Sequence, residues 1–114
     1  MTDLSGWSEQ LRRGGLDLAI LLTLAPARQY GLAIIRHLET FTDLVVTEGT
    51  IYPILSRLTR DGLLEAQWVA GEGPHPRKYY ALTPAGRTRL AEMTAHWKTF
   101  TAKIARLIEA AEQR

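Results

Sequence analysis

The strongest constraint on the fold is a seam of apolar side chains in residues 83–114, which recur at alternating intervals of three and four. Thr83 followed by Pro84 is typical of a helix start, because threonine caps the first N–H groups and proline has none to satisfy. A seam of about three heptads requires a partner helix, and a chain of 114 residues can cover only part of it. We therefore predict a C-terminal dimerisation helix in residues 83–114, with an interface through Leu90, Met93, Trp97, Phe100, Ile104 and Leu107.

Two further helices are predicted near the start of the chain. Residues 4–13 form a short amphipathic helix with Trp7 and Leu11 on one face, and Gly14 and Gly15 are expected to end it. Residues 16–24 are apolar on nearly all sides, which is typical of a helix buried against others. Pro26 follows closely and is expected to end this second helix.

The next two helices are amphipathic and joined by a short link. The first covers residues 30–41, with an apolar side of Leu32, Ile35, Leu38 and Phe41. The second begins with Thr47 as N-cap and Glu48 in the first turn, and runs to about Arg60 before Asp61 and Gly62 stop it. Its buried stripe consists of Ile51, Ile54, Leu55 and Leu58. This arrangement predicts a helix-turn-helix.

A β-hairpin is predicted directly after that helix. Residues 63–69 and 77–82 are rich in β-compatible side chains, and the turn formers of residues 70–76 lie between them. Tyr79 and Tyr80 then point to opposite faces. The predicted fold is mainly α with a β-hairpin wing: a winged helix-turn-helix in residues 1–82, followed by the long C-terminal dimerisation helix in residues 83–114.

Several classes of function are excluded or disfavoured by the composition. The sequence has no cysteine, so thiolate metal sites and thiol nucleophiles are excluded, and the net charge of +2 is too small to prove a polyanion partner. No secretory signal or membrane-spanning stretch is evident, so a cytoplasmic location is expected. No catalytic motif stands out, so we expect neither an enzyme nor a cofactor. Glu92 and His96 lie four apart, a weak basis for a metal site, and an exposed helix pair explains them better.

The fourth helix carries the candidate DNA-binding residues. At 100° per residue, its face away from the core holds Gly49, Pro53, Ser56 and Arg60, flanked by Thr50, Tyr52 and Arg57, with Thr47 at its start. Hydroxyl and guanidinium groups suit phosphates and base edges, and a glycine lets the backbone approach a duplex. Pro53 is expected to bend the helix by freeing the Gly49 carbonyl. The alternative is a later helix start, with Pro53 still in the first turn.

Two adjacent cations, Arg77 and Lys78, begin the returning strand of the hairpin. They suit a phosphate backbone or a minor groove. The alternative is that they only keep a sheet edge soluble. Beside a helix-turn-helix, DNA contact is the better interpretation.

Five strings together resemble the PadR family of winged-helix regulators: LRRGGLDLAIL at 11–21, YGLAI at 30–34, EGTIYPILSRL at 48–58, DGLL at 61–64 and PRKYYALTPAG at 76–86. The resemblance covers nearly the whole chain. It implies a homodimeric repressor, in which the last helix and the N-terminal region pack across a two-fold axis. Some PadR-like regulators of the small class, which this arrangement resembles, take planar drugs or phenolic compounds at the interface. Trp97 would line such an effector pocket; alternatively, it only fills the dimer core.

The sequence thus predicts a sequence-specific DNA-binding transcriptional regulator, a repressor released by a small-molecule effector. Its partners would be a pseudo-palindromic double-stranded operator, a second copy of the chain, and a small planar hydrophobic effector at Trp97. Two alternatives are a winged-helix protein-interaction module without DNA binding and a metal-responsive regulator.

Overall fold

Helices and short strands alternate along the chain in the computed structural model, which describes residues 3–71 and 73–113. The predicted mainly helical fold with a hairpin wing and a long last helix is confirmed. Within the described residues the elements are α1 (Ser5–Leu24), β1 (Gln29–Tyr30), α2 (Gly31–Thr42), α3 (Glu48–Arg60), β2 (Leu64–Val69), β3 (Arg77–Leu82) and α4 (Pro84–Glu112). The described residues leave out Glu72 in the predicted hairpin tip, Met1 and Thr2 at the start of the range 1–82, and Arg114 at the end of the range 83–114.

The first two predicted helices are one helix. α1 continues through Gly14 and Gly15, so the expected stop at these glycines is wrong. A glycine costs only about 1 kcal/mol in a helix interior, whereas a fully buried leucine contributes about 1.5–3 kcal/mol. The second half of α1 buries Leu16, Leu18, Ile20, Leu21 and Leu24. Core packing therefore outweighs the two glycines, and the helix ends at Leu24, before Pro26, as predicted.

α2 packs against both α1 and α3, and the apolar sides of the three helices contribute to one core. The stripe predicted for α3 is confirmed: Ile51, Leu55 and Leu58 are buried and Ile54 packs against them. The side predicted for α2 is partly wrong, because α2 buries Gly31, Ile34 and Leu38 while Leu32 and Phe41 are exposed. Gly62, at φ +80°, ends α3 in the left-handed conformation that glycine tolerates.

A three-stranded antiparallel sheet replaces the simple hairpin. Its order is β1-β3-β2, and the two predicted strands pair over their whole length, from Leu64 opposite Leu82 to Val69 opposite Arg77. The short strand β1 was not predicted; it pairs Gln29 with Tyr80 and Tyr30 with Tyr79. Tyr80 is buried against the core and Tyr79 is on the other face and half-buried, so the opposite orientation of the two tyrosines is confirmed.

α4 is fastened to the end of α3 by Thr83, its predicted N-cap. The Thr83 hydroxyl accepts a hydrogen bond from the Gly86 N–H (3.0 Å) and donates one to the Gly62 carbonyl (2.6 Å). The Thr83 N–H donates to the Leu63 carbonyl (3.1 Å). A Cβ on Gly86 would overlap the Leu63 carbonyl oxygen, so glycine is required where α4 crosses this loop.

Only the first part of α4 is covered within one chain. Leu90 is buried in the core and Met93 packs against it. The later seam residues are exposed, with 43% of Trp97, 63% of Phe100, 40% of Ile104 and 67% of Leu107 accessible. Within the described residues, no helix is both long enough and apolar enough to cross a bilayer.

Candidate nucleic-acid interface

The face of α3 away from the core is a narrow exposed ridge. Gly49, Pro53, Ser56 and Arg60 are all exposed along it, because the buried stripe of α3 occupies the opposite side of the helix. Thr47 is the N-cap of α3, as predicted, but its hydroxyl caps no backbone N–H and instead donates to the Thr50 hydroxyl (3.2 Å). The ridge is long enough to present several side chains to one partner.

Pro53 lies inside α3, five residues after the helix begins at Glu48. The alternative of a later helix start is therefore wrong. A proline here cannot donate to the Gly49 carbonyl, the acceptor four residues earlier. This leaves one carbonyl of the first turn without its helical partner on the exposed ridge.

A groove beside the ridge joins α2, α3 and the sheet. Tyr52 and Ser56 of α3 and the two predicted wing cations, Arg77 and Lys78, all line it, together with Arg36 of α2. The structure thus brings two of the predicted α3 residues together with both predicted wing residues. Arg36 was missed by the sequence reasoning, because it could be read only as a polar residue on the outer side of an amphipathic helix.

The wing cations are held over aromatic rings. The Arg77 guanidinium lies 4.4 Å from the centroid of the Tyr30 ring. The Lys78 ammonium lies 5.8 Å from the centroids of both Trp68 and Tyr80. Such contacts attract a cation without neutralising its charge. Both side chains therefore keep their charge for an anionic partner.

Tyr52 forms the floor of this groove where α3 meets α2. Its ring packs so closely on Gly31 that a Cβ there would lie 2.5 Å from Cε1 of Tyr52 and 2.7 Å from Cζ. Burial, followed by the nearby carboxylate of Glu48, raises the pKa of Tyr52 above its ordinary value. Burial also raises the pKa of Tyr80, with a smaller contribution from Tyr52. Both phenols therefore remain neutral hydrogen-bonding groups at physiological pH.

On the other side of the ridge, α3 forms a second groove with α1, lined in part by Thr47, Thr50 and Arg57. Arg57 was predicted to reach DNA, but in the structure its Nη2 donates to both carboxylate oxygens of Asp17, at 2.8 and 3.0 Å. This hydrogen bond raises the pKa of Arg57. The ion pair was not predicted, because 40 positions separate the two residues in the sequence.

The predicted DNA-binding residues therefore lie on α3 or in the grooves beside it. Two grooves flank the α3 ridge: one carries the wing cations and the other the Arg57–Asp17 pair. Trp97 lies apart from both grooves, against α1, where a Cβ on Gly15 would be 4.0 Å from its Cη2 atom. Residues 3–71 and 73–113 contain no cluster of three His, Asp or Glu side chains that could hold a metal ion.

A protein-family model identifies the family to which this helix-turn-helix belongs. The model of the family described as "Transcriptional regulator PadR-like family" matches residues 20–92, which include α2, α3, the wing and the start of α4. The chain is a member of the PadR-like family. PadR-like proteins are DNA-binding transcriptional regulators and not enzymes, so the predicted resemblance and the expected class of function are confirmed.

Individual PadR-like proteins are similar over most of the chain. A PadR family transcriptional regulator from Eggerthella lenta has a structure with a TM-score of 0.82, 34% identity, and coverage of 93% of this chain and 92% of its own. A PadR-like transcription factor from Bacteroides fragilis has a TM-score of 0.76, 38% identity, and coverage of 90% and 99%. Transcriptional regulator Rv3488 of Mycobacterium tuberculosis is 35% identical, over 73% of this chain and 76% of its own.

Proposed function

We propose that this PadR-like protein is a homodimeric, sequence-specific repressor that binds a pseudo-palindromic operator through the α3 ridge and the wing. The observation that carries the proposal is the groove in which Tyr52 and Ser56 of α3 lie beside Arg77 and Lys78 of the wing. A polar helix ridge with adjacent cations fits a major groove bordered by phosphates. Because the partner is DNA, the cytoplasmic location expected from the sequence is part of the proposal.

The two parts of this surface have different roles in the proposal. The ridge of α3 enters the major groove, where Gly49 allows a close approach and Ser56 and Arg60 face the base edges. Arg36, Arg77 and Lys78 bind phosphates on either side, which fixes the position of the helix without reading sequence. Arg57 acts mainly through Asp17, which holds it beside the ridge.

The exposed seam of α4 supports a homodimer, with residues 1–82 as the DNA-binding domain and residues 83–114 as the dimerisation helix. Trp97, Phe100, Ile104 and Leu107 are between 40% and 67% exposed in the single chain, and large apolar stripes of this kind mark association sites. Leu4, Trp7 and Leu11 add an exposed apolar face on α1. A two-fold dimer would place two α3 helices in successive major grooves.

Trp97 is the proposed effector residue. Its indole is flat, partly exposed and seated against α1, so a small planar hydrophobic compound could stack on it at the dimer interface. Such a compound would alter the packing of the α4 helices and the distance between the two α3 helices, and so release the operator. Trp97→Ala should abolish the effect of aromatic compounds on operator affinity; unchanged release would remove Trp97 from the mechanism.

The decisive experiment is selection of bound duplexes from a random pool at a stated salt concentration. We expect an enriched inverted repeat. Arg77→Ala and Lys78→Ala should each weaken binding and reduce its salt dependence, because fewer counterions are released. Arg89→Ala, on the exposed surface of α4, is the matched control. A protein that stays monomeric in sedimentation and prefers no duplex over heparin would refute the proposal.

A further inference from the structure

We propose that the groove between α1 and α3 binds a phosphate of the DNA backbone, with Arg12 and Arg13 of α1 as its cationic contacts. This proposal rests on the proposed function and extends the DNA-binding surface beyond the helix-turn-helix and the wing. Arg12 and Arg13 line the groove opposite Thr47 and Thr50, at the start of α3. All four side chains are exposed, so a strand of DNA seated on the α3 ridge can reach them.

The charges in the groove favour an anion. Its lining holds Arg12, Arg13 and Arg57 against the carboxylates of Glu9 and Asp17. Asp17 already accepts two hydrogen bonds from Arg57, so this pair is largely neutral toward a ligand. Two arginines then face the remaining carboxylate, and the groove keeps a net positive charge.

Arg12 is held in place without losing its charge. Its Nη2 donates to the carbonyl oxygen of Val45 at 2.6 Å, in the loop that leads into α3. A carbonyl is a neutral acceptor, so the guanidinium remains a cation with further N–H donors. The Thr47 and Thr50 hydroxyls lie across the groove, and hydroxyls together with guanidinium groups are common donors to DNA phosphates. The groove therefore offers a prearranged set of donors next to the α3 ridge.

The basic and apolar sides of α1 point in different directions. With 3.6 residues per turn, Arg13 projects to nearly the opposite side of the helix from Trp7 and Leu11, and Arg12 lies about 100° around the helix from Leu11. A second copy that covers the apolar side would therefore leave the arginines open to DNA. The same helix can serve both the dimer and the operator.

The test measures affinity against salt concentration for two duplexes of equal length, the selected inverted repeat and a mixed-sequence control. Arg13→Ala is the decisive variant, because it leaves the hydrogen bond from Arg12 to Val45 in place. Because both subunits of the proposed dimer carry the substitution, two phosphate contacts are lost, which should reduce the slope of log affinity against log salt by about 1.8 and the affinity at 0.1 M salt by roughly thirtyfold to a hundredfold. Both duplexes should lose the same factor, since a phosphate contact reads no sequence.

The double variant Arg12→Ala/Arg13→Ala should roughly double the change in slope, and a thermal melt checks that it folds. Arg89→Ala on α4 should leave the slope unchanged. The groove proposal is overturned if both α1 variants keep the wild-type slope while Arg77→Ala and Lys78→Ala reduce it. It is also overturned if Arg13→Ala weakens only the selected duplex. Failure of the wild-type protein to bind any duplex would instead overturn the proposed function.

Discussion

Replacing Gly86 with alanine should loosen the junction between α4 and the end of α3. The new Cβ would overlap the carbonyl oxygen of Leu63 and lie 3.0 Å from its carbonyl carbon. Both atoms belong to the backbone, so no rotation of a side chain relieves the overlap and α4 has to move away. That movement strains three hydrogen bonds of Thr83, to Gly62, to Leu63 and from Gly86.

The expected loss of stability follows from these bonds. An intramolecular hydrogen bond contributes about 0.5–1.5 kcal/mol, so weakening all three costs roughly 3 kcal/mol. The better helix propensity of alanine offsets up to about 1 kcal/mol. The free energy of unfolding should therefore fall by about 2 kcal/mol, which lowers Tm by roughly 8 °C in a domain of this size.

Urea unfolding and thermal melts followed by circular dichroism measure this change, at one protein concentration because association raises apparent stability. Gly6→Ala is the matched control. Gly6 also lies in the first turn of a helix, and no described atom outside its immediate neighbourhood comes within 4 Å of an added Cβ. We expect Gly6→Ala to leave stability unchanged or slightly higher. A Gly86→Ala variant within about 0.5 kcal/mol of wild type would show that the junction is not tightly packed.

Three other substitutions test single contacts. Asp17→Asn removes the partner of Arg57; both side chains are partly exposed, so urea unfolding should show a loss of only about 1 kcal/mol, and no loss would mean that the pair does not hold α3. Gly31→Ala should displace the Tyr52 ring. We expect the free energy of binding to the selected duplex, from an anisotropy titration, to change more than the free energy of unfolding; a larger change in unfolding would show that Tyr52 does not contribute to the DNA surface. Burial raises the pKa of Tyr80 above its ordinary value of 10.0, so the neutral phenol stabilises the fold below about pH 10 and this contribution is lost as the pH rises further. Urea unfolding above pH 10 should therefore show a smaller loss of stability with pH for Tyr80→Phe than for wild type, and equal losses would show that Tyr80 is not the group responsible.

Most of the fold follows from patterns that a single sequence carries. The seam of α4, the apolar stripe of α3 and the turn formers between β2 and β3 are local, so each element was predicted with nearly its observed bounds. The helix stop predicted at Gly14 and Gly15 was wrong because helix propensity is a local quantity, whereas the continuity of α1 depends on the core that its second half enters. The buried side of α2 was partly wrong for another reason. Its apolar residues at 32, 34, 35, 38 and 41 are compatible with two different buried faces.

The candidate site was predictable only along α3 and β3. The ridge of α3 follows from the position of its buried stripe, and the two wing cations follow from their place after the turn. Arg36, the partner Asp17 and the α1–α3 groove were not predictable, because each depends on which elements become neighbours in the folded chain. β1 has two residues and no alternation to detect; its existence depends on pairing with β3.

The continuity of α1 has a mechanical consequence. Trp7 and Asp17 lie on the same continuous helix, about 15 Å apart along its axis. No loop separates them, so a change in the tilt of α1 affects both. Asp17 is paired with Arg57 where α1 enters the core, so a change in the tilt of α1 at Trp7 would move Asp17 and, through the ion pair, Arg57 on the side of α3. Gly14 and Gly15 lie between Trp7 and Asp17, close to Asp17, and glycine favours a helix interior about 1 kcal/mol less than alanine. Alanine at both positions would therefore stiffen α1 and couple a movement at Trp7 more closely to α3.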